Sequence, residues 1–235
     1  MRKIDFEGPF RKALEENISE VREAVLSKNE DMWLKIRNYS ERFDLPIKYI
    51  EHKILSDNIF ANQFAKDPRK QSLHQRVAAD FIKTMTGVFD FCPLPAGGRN
   101  ALYICNDGIV RKGSGASHGL TKSIDFCWRF EDCMYYAAHK HTEANGGAQD
   151  NQSNDLTAFL INASKSTLAN TYFIAIGDGD YYQRECPEVD AKNMSRLDYM
   201  NEKYGSKYAY AMSSNDLEAF MIEHSGSKII KTDSV

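Results

Sequence analysis

Long hydrophobic runs are missing from this chain. No apolar stretch approaches the roughly 18 residues that a membrane span needs, and the opening Met1-Arg2-Lys3-Ile4-Asp5-Phe6-Glu7 has no apolar core of the secretory-signal kind. The expectation is a cytoplasmic protein with no membrane partner. A C-x-x-C pair is missing too. The five cysteines, Cys92, Cys105, Cys127, Cys133 and Cys186, are odd in number, so their spacing suggests neither a disulfide framework nor a structural zinc site. They read mostly as buried, reduced thiols. Nor is there an excess of positive charge: 30 Lys and Arg against 33 Asp and Glu give a net charge of -3. That argues against a non-specific polyanion binder, but it leaves room for basic residues confined to one face. Repeats are absent, and the glycine- and serine-rich stretch 111–120 is the only low-complexity tract.

What remains is an ordinary globular composition, 42% hydrophobic and 27% charged over 235 residues. That length suits one sizeable domain with a small helical appendage. Apolar positions recur at helical spacing over 9–28 (Phe10, Leu14, Ile18, Val21, Val25) and over 30–43 (Met32, Trp33, Ile36, Tyr39, Phe43), and Pro46 interrupts them. Residues 1–66 are therefore expected to form an N-terminal helical layer, and 67–235 the main domain.

In that domain Ser72 and Gln75 resemble a capping box that opens a helix through about Thr86. A loop punctuated by Pro and Gly, Cys92 to Asn100, precedes a strand at Ala101–Cys105, and Asn106-Asp107-Gly108 reads as a hairpin turn. Ser123–Phe130 and Met134–His141 read as further strands, with a helix after Gly146-Gly147. The continuous apolar run Tyr172–Ile176 reads as a strand buried on both faces. A helix near 189–203, a strand at Tyr208–Met212 and a helix from Ser214 to His224 close the chain. The expected fold is α/β: a mixed central sheet flanked by helices, ordered helix, three-strand meander, helix, strand.

One stretch concentrates chemistry. His139-Lys140-His141-Thr142-Glu143 leads through Gly146-Gly147-Ala148-Gln149-Asp150-Asn151-Gln152 to Asp155. If Asp125 and Lys140 lie on adjacent antiparallel strands, both can face one end of the sheet. A carboxylate there can hold magnesium with phosphate oxygens as co-ligands, while a lysine orients the attacking water and offsets transition-state charge. His139 and His141 straddle Lys140 and so point to the other face. The competing structural readings are a satisfied acid at 125 and an edge-strand lysine at 140. Asp178, in Gly-Asp-Gly-Asp, reads first as a turn residue and second as a further acid lining the same cleft.

With Ser-Ile-Asp125-Phe, Tyr-Ala-Ala-His-Lys140-His and Gly146-Gly147-Ala-Gln149-Asp-Asn151-Gln152, the chain over roughly 70–212 resembles the PD-(D/E)XK nuclease superfamily, and within it type II restriction endonucleases. The resemblance implies a restriction-endonuclease-like core and magnesium-dependent hydrolysis of specific double-stranded DNA by a homodimer. Asp125 and Lys140 would be catalytic, with Asp125 and a second acid on the metal. Gly147, Gln149, Asn151 and Gln152, with Arg99 and Asn100, are the candidates for contact with DNA. The family pattern puts Asp or Glu two positions before the lysine, where this chain has Ala138. Asp155, Glu143 or Asp150 could supply the displaced acid, or this copy is inactive. Two other functional classes therefore stay open: a non-catalytic sequence-specific DNA-binding protein on the same scaffold, and a structure-selective or nicking nuclease.

Overall fold

Helical periodicity governs the N-terminal third. The computed structural model describes residues 3–68, 72–113, 120–143, 147–187 and 193–224. They divide into two compact units, one of Asp5–Val77 and one of Ala78–Val235 with Met1–Ile4. In the first, α1 (Glu7–Leu26), α2 (Glu30–Phe43), α3 (Ile47–Ser56) and α4 (Asn58–Asn62) enclose an apolar cluster that includes Ile18, Val21, Ile36, Ile50 and Ile54. The Asn29 side chain accepts the Met32 N–H and so opens α2, which ends at Asp44 in the left-handed region with φ 50. Pro46, read from sequence as an interruption, stands immediately before α3 with φ -60 and ψ 133, a place where a missing N–H costs nothing. Asp57 opens α4 by accepting the Ile59 and Phe60 N–H groups. The units part within α5 (Leu73–Lys83), between Val77 and Ala78; the sequence reading drew its line earlier, between 66 and 67.

The second unit holds two sheets. The larger has five strands in the order β1 (Val88–Pro93), β5 (Phe126–Phe130), β6 (Cys133–His141), β7 (Thr171–Asp178), β8 (Ala209–Met212). The first three pair antiparallel, and β6, β7 and β8 run parallel. The crossover between β6 and β7 carries α6 (Gly147–Ala163); that between β7 and β8 carries α7 (Asp180–Gln183) and α8 (Arg196–Tyr204), and α9 (Leu217–His224) follows β8. Ser195 starts α8 with a full capping box to Asp198. This is a mixed α/β sheet flanked by helices.

The smaller sheet, in the order β3 (Val110–Lys112), β2 (Leu102–Cys105), β4 (Leu120–Ser123), corrects the expected meander. The strand expected at Ala101–Cys105 is not a neighbour of β5 in the main sheet. The first meander strand is β1, which includes Cys92 and Pro93 from the stretch read as a loop. Two features hid it. Asp90 sits at φ 52 inside a bulge that breaks the alternation, and β1 is an edge strand, where proline is tolerated.

The two faces of the main sheet are covered differently. On one, Leu156, Phe159 and Leu160 of α6 pack with Ala138, Phe173 and Ala175 of the sheet, all fully buried. On the other, Trp128 stacks on Tyr135 at 5.4 Å between ring centres and donates from Nε1 to Met221 Sδ of α9 at 3.2 Å. Among the described residues, no helix is long and apolar enough to cross a membrane.

Candidate active site

β6 presents the residues on which the site is built. Side chains alternate along a strand, so Tyr136, Ala138 and Lys140 look toward α6, and Ala137, His139 and His141 look away from it. Ala138 is fully buried beneath α6. Two residues on, Lys140 reaches the rim, where its Nζ lies 3.3 Å from Asp155 Oδ2. The burial of Leu156 and Phe159 against the sheet fixes the rotation of α6 and hence the place of Asp155. Lys122 of β4 forms an ion pair with the same Asp155 oxygen. Two ammonium groups thus converge on one carboxylate from two different sheets.

Asp125 lies where the chain passes from the small sheet to the large one. The Ile124 N–H donates to Leu102 O at 2.8 Å, and the Asp125 N–H donates to Ala137 O at 2.8 Å. Asp125 stands just before β5, whose first register pair is Phe126 with Ala137. Its Oδ2 accepts the His139 backbone N–H at 2.8 Å. Burial pushes the Asp125 carboxyl above its ordinary range, against the opposing pull of the His139 N–H, His139, Lys140 and Lys122. Asp155 moves the other way: burial raises it, but the hydrogen bond and charge of Lys122, then Lys140, hold it below the usual carboxylate range. Both acids therefore sense the same two lysines. Their difference is exposure of the charge, since 41% of the Asp155 side chain remains open.

Glycine makes the floor beside Lys140. Gly177 is its register partner on β7, and a Cβ there would come within 2.8 Å of the Tyr182 ring and 2.9 Å of Leu197. Its absence lets the Tyr182 ring pack against the strand, with the hydroxyl beside Thr142 and within electrostatic reach of Asp155 and Asp178. Gly179, at φ 92, brings the chain so close that a Cβ would meet Thr142 O at 2.3 Å.

The remaining candidates scatter. Gln152 is engaged by Thr142, whose Oγ1 donates to Gln152 Oε1 at 2.8 Å. Asn151 is exposed on α6, and Arg99 and Asn100 are exposed in the loop between β1 and β2. Gly147 begins α6; the side chains of Gln149 and Asp150 lie outside the described residues. Glu143 turns to His141, its Oε1 2.9 Å from His141 Nε2, on the face away from Lys140. Of the two described acids among those proposed for the displaced position, Asp155 is the one placed at Lys140. Asp178 faces the α9 side, where its carboxylate accepts the Ser214 N–H at 2.8 Å and the Ser214 Oγ–H at 2.6 Å and lies 3.1 Å from His139 Nε2. It does not line the Lys140 cleft.

Along α6 from Asp155 lies a cleft of about 410 Å³, lined by residues that include Asn154, Thr157, Tyr181, Arg196, Tyr199 and Lys203. The Arg196 guanidinium sits 4.0 Å from the centre of the Tyr181 ring, and Lys203 Nζ 4.7 Å from that of Tyr199. Sequence reasoning missed Lys122 and Tyr182. Lys122 falls between a stretch read as loop and one read as strand, and only the pairing of β4 with β2 carries it to Asp155.

Among the described residues no group of three His, Cys, Asp or Glu side chains is placed to hold a metal. Asp125 and Asp155 are two carboxylates within electrostatic reach of the same Lys122 and Lys140. Comparison with protein-family models, with curated proteins and with solved structures finds no match.

Proposed function

We propose that this protein is a magnesium-dependent endodeoxyribonuclease of the type II restriction kind, acting on specific duplex DNA in the cytoplasm from a restriction-endonuclease-like core. The order α5, β1, β5, β6, α6, β7 supports the reading: helix, antiparallel three-strand meander, helix, parallel strand. Asp125 stands at the head of the second meander strand and Lys140 near the end of the third. The observation that carries it is Lys140 Nζ at 3.3 Å from Asp155, with Asp125 within electrostatic reach of the same lysine, so that α6 returns an acid to the lysine where β6 has none.

Asp125 and Asp155 would hold the ion. Magnesium bound there supplies Lewis-acid polarisation of the scissile phosphate and a more acidic bound water. Lys140 orients the attacking water and takes up negative charge as the bond to the leaving oxygen lengthens. Lys122 holds Asp155 in place and offsets part of the same charge, and the burial that raises Asp125 keeps bulk water from screening these interactions. Cutting both strands of a symmetric site calls for two such centres, hence a homodimer.

Plasmid DNA should be cleaved in magnesium, and EDTA or Lys140→Ala should abolish the cleavage; intact DNA across many sequences and divalent metals would sink the reading. One observation favours a second reading, a DNA-binding protein without catalysis: Ala138 is fully buried in an apolar cluster, so the position of the family acid is filled by a methyl group. Specific gel-shift binding that is unchanged in Asp125→Ala, with no nicking, would select it.

A further inference from the structure

Cys92 and Cys127 stand directly opposite each other on β1 and β5. The pairing is created by the bulge. From Val88 opposite Phe130 and Phe89 opposite Arg129, an unbroken register would set Phe91 against Cys127. One extra residue between Phe89 and Cys92, with Asp90 at φ 52, shifts β1 and sets sulfur against sulfur. Directly opposed residues of antiparallel strands share a face and have Cα atoms about 4.5 to 5.5 Å apart, inside the span of about 4.4 to 6.8 Å that a disulfide bridges. The Cys92 thiol donates to Pro93 O at 3.5 Å. Cys92 is exposed and Cys127 half-buried, whereas Cys105, Cys133 and Cys186 are buried.

We infer that Cys92 and Cys127 are a modification site that closes into a reversible cross-strand disulfide by exchange with low-molecular-weight disulfides such as oxidised glutathione. The exposed Cys92 thiolate attacks one sulfur of the external disulfide; that S–S bond breaks, a mixed disulfide forms on Cys92, and one glutathione thiolate leaves. Cys127 then gives its proton to solvent and attacks Cys92 Sγ, expelling the second thiolate. In sum, two protein thiols are oxidised to one disulfide and one glutathione disulfide is reduced to two thiols. The consequence is local. β1 is an edge strand paired with β5, Cys127 is two residues from Asp125, and the Leu94 N–H donates to Asp125 O at 2.8 Å. The bridge fastens the edge strand to the strand end that carries the candidate acid.

The test is incubation of the full chain with oxidised glutathione, followed by peptide mapping without reductant. The expected product is a peptide joining Cys92 to Cys127, lighter by two hydrogens than its reduced parts and separated by dithiothreitol. The oxidised chain should melt several degrees higher, because the bridge constrains the unfolded chain between the two positions. Cys92→Ser alters an exposed side chain and should leave the reduced chain's Tm in place while removing both the linked peptide and the rise on oxidation. A glutathione adduct that stays on Cys92 without closing, a link through any of the three buried cysteines, no link at all, or a Tm rise that survives Cys92→Ser would each overturn the inference.

Discussion

Asp178 and Asp125 both meet His139, one at its ring and one at its backbone N–H, and their carboxyl groups are shifted in opposite directions. Asp178 is almost wholly enclosed, 3% exposed. Burial pushes it up, but His139 and Ser214 more than reverse this and leave it below the ordinary range. Asp125 has the His139 backbone N–H on one oxygen, and there burial wins. The difference lies in how fully each acid is matched by donors. The α9 face closes a buried acid with matched donors, which is how an enclosed charge becomes structural. Asp125 is left undercompensated within electrostatic reach of Lys140 and Lys122, the same two lysines that hold the part-exposed Asp155.

The sharpest way to break this comparison is Asp178→Ala. It strands Ser214 and His139 in a closed interior and should cost about 3 kcal/mol of stability, read from the urea midpoint; a loss no larger than that of an exposed aspartate would mean the network is not structural. Next in size is Asp125→Asn. Cleavage should fall on the order of a hundredfold with the metal site impaired, while stability at neutral pH holds or rises by up to about 1 kcal/mol, since a strained charge is removed. A stability loss as large as that of Asp178→Ala would erase the distinction between the two acids.

The pH dependence sharpens the same pair. A lowered folded pKa makes Asp178 stabilising above the ordinary value of 3.8 and withdraws that stability as pH falls through the folded value. A raised folded pKa makes Asp125 do the reverse: its cost is absent below 3.8 and grows as pH rises from there through the folded value. Urea midpoints of the wild type against Asp178→Asn and Asp125→Asn across acidic pH should therefore diverge with opposite sign. The smallest expected effect concerns the open face. Lys203→Ala should weaken DNA binding only a few-fold and lower the salt slope by about 1. An unchanged slope would show that DNA does not run along the cleft.

Much of this was legible in the chain. The periodic stripes marked α1 and α2, the apolar run marked β7, and alternation along β6 put His139 and His141 on the face away from Lys140. Asp155 was readable as an acid one helical turn from Phe159, and its place at Lys140 follows from that stripe. Strand β1 was not legible, because a bulge and an edge proline remove the regular pattern on which such reading depends. Asp178 was first a turn residue in the sequence; in the fold it closes a buried network.

The sequence by itself determined local periods: which residues share a helix stripe, which alternate along a strand, and that an alanine stands two positions before Lys140. Only the tertiary structure decided what meets across the sheets. Lys122 reaches Asp155 because β4 pairs with β2 beneath α6, and Cys92 faces Cys127 because one bulged residue shifts a register. Period is a property of neighbouring residues, whereas register and layer packing are set by burial between segments far apart in the chain.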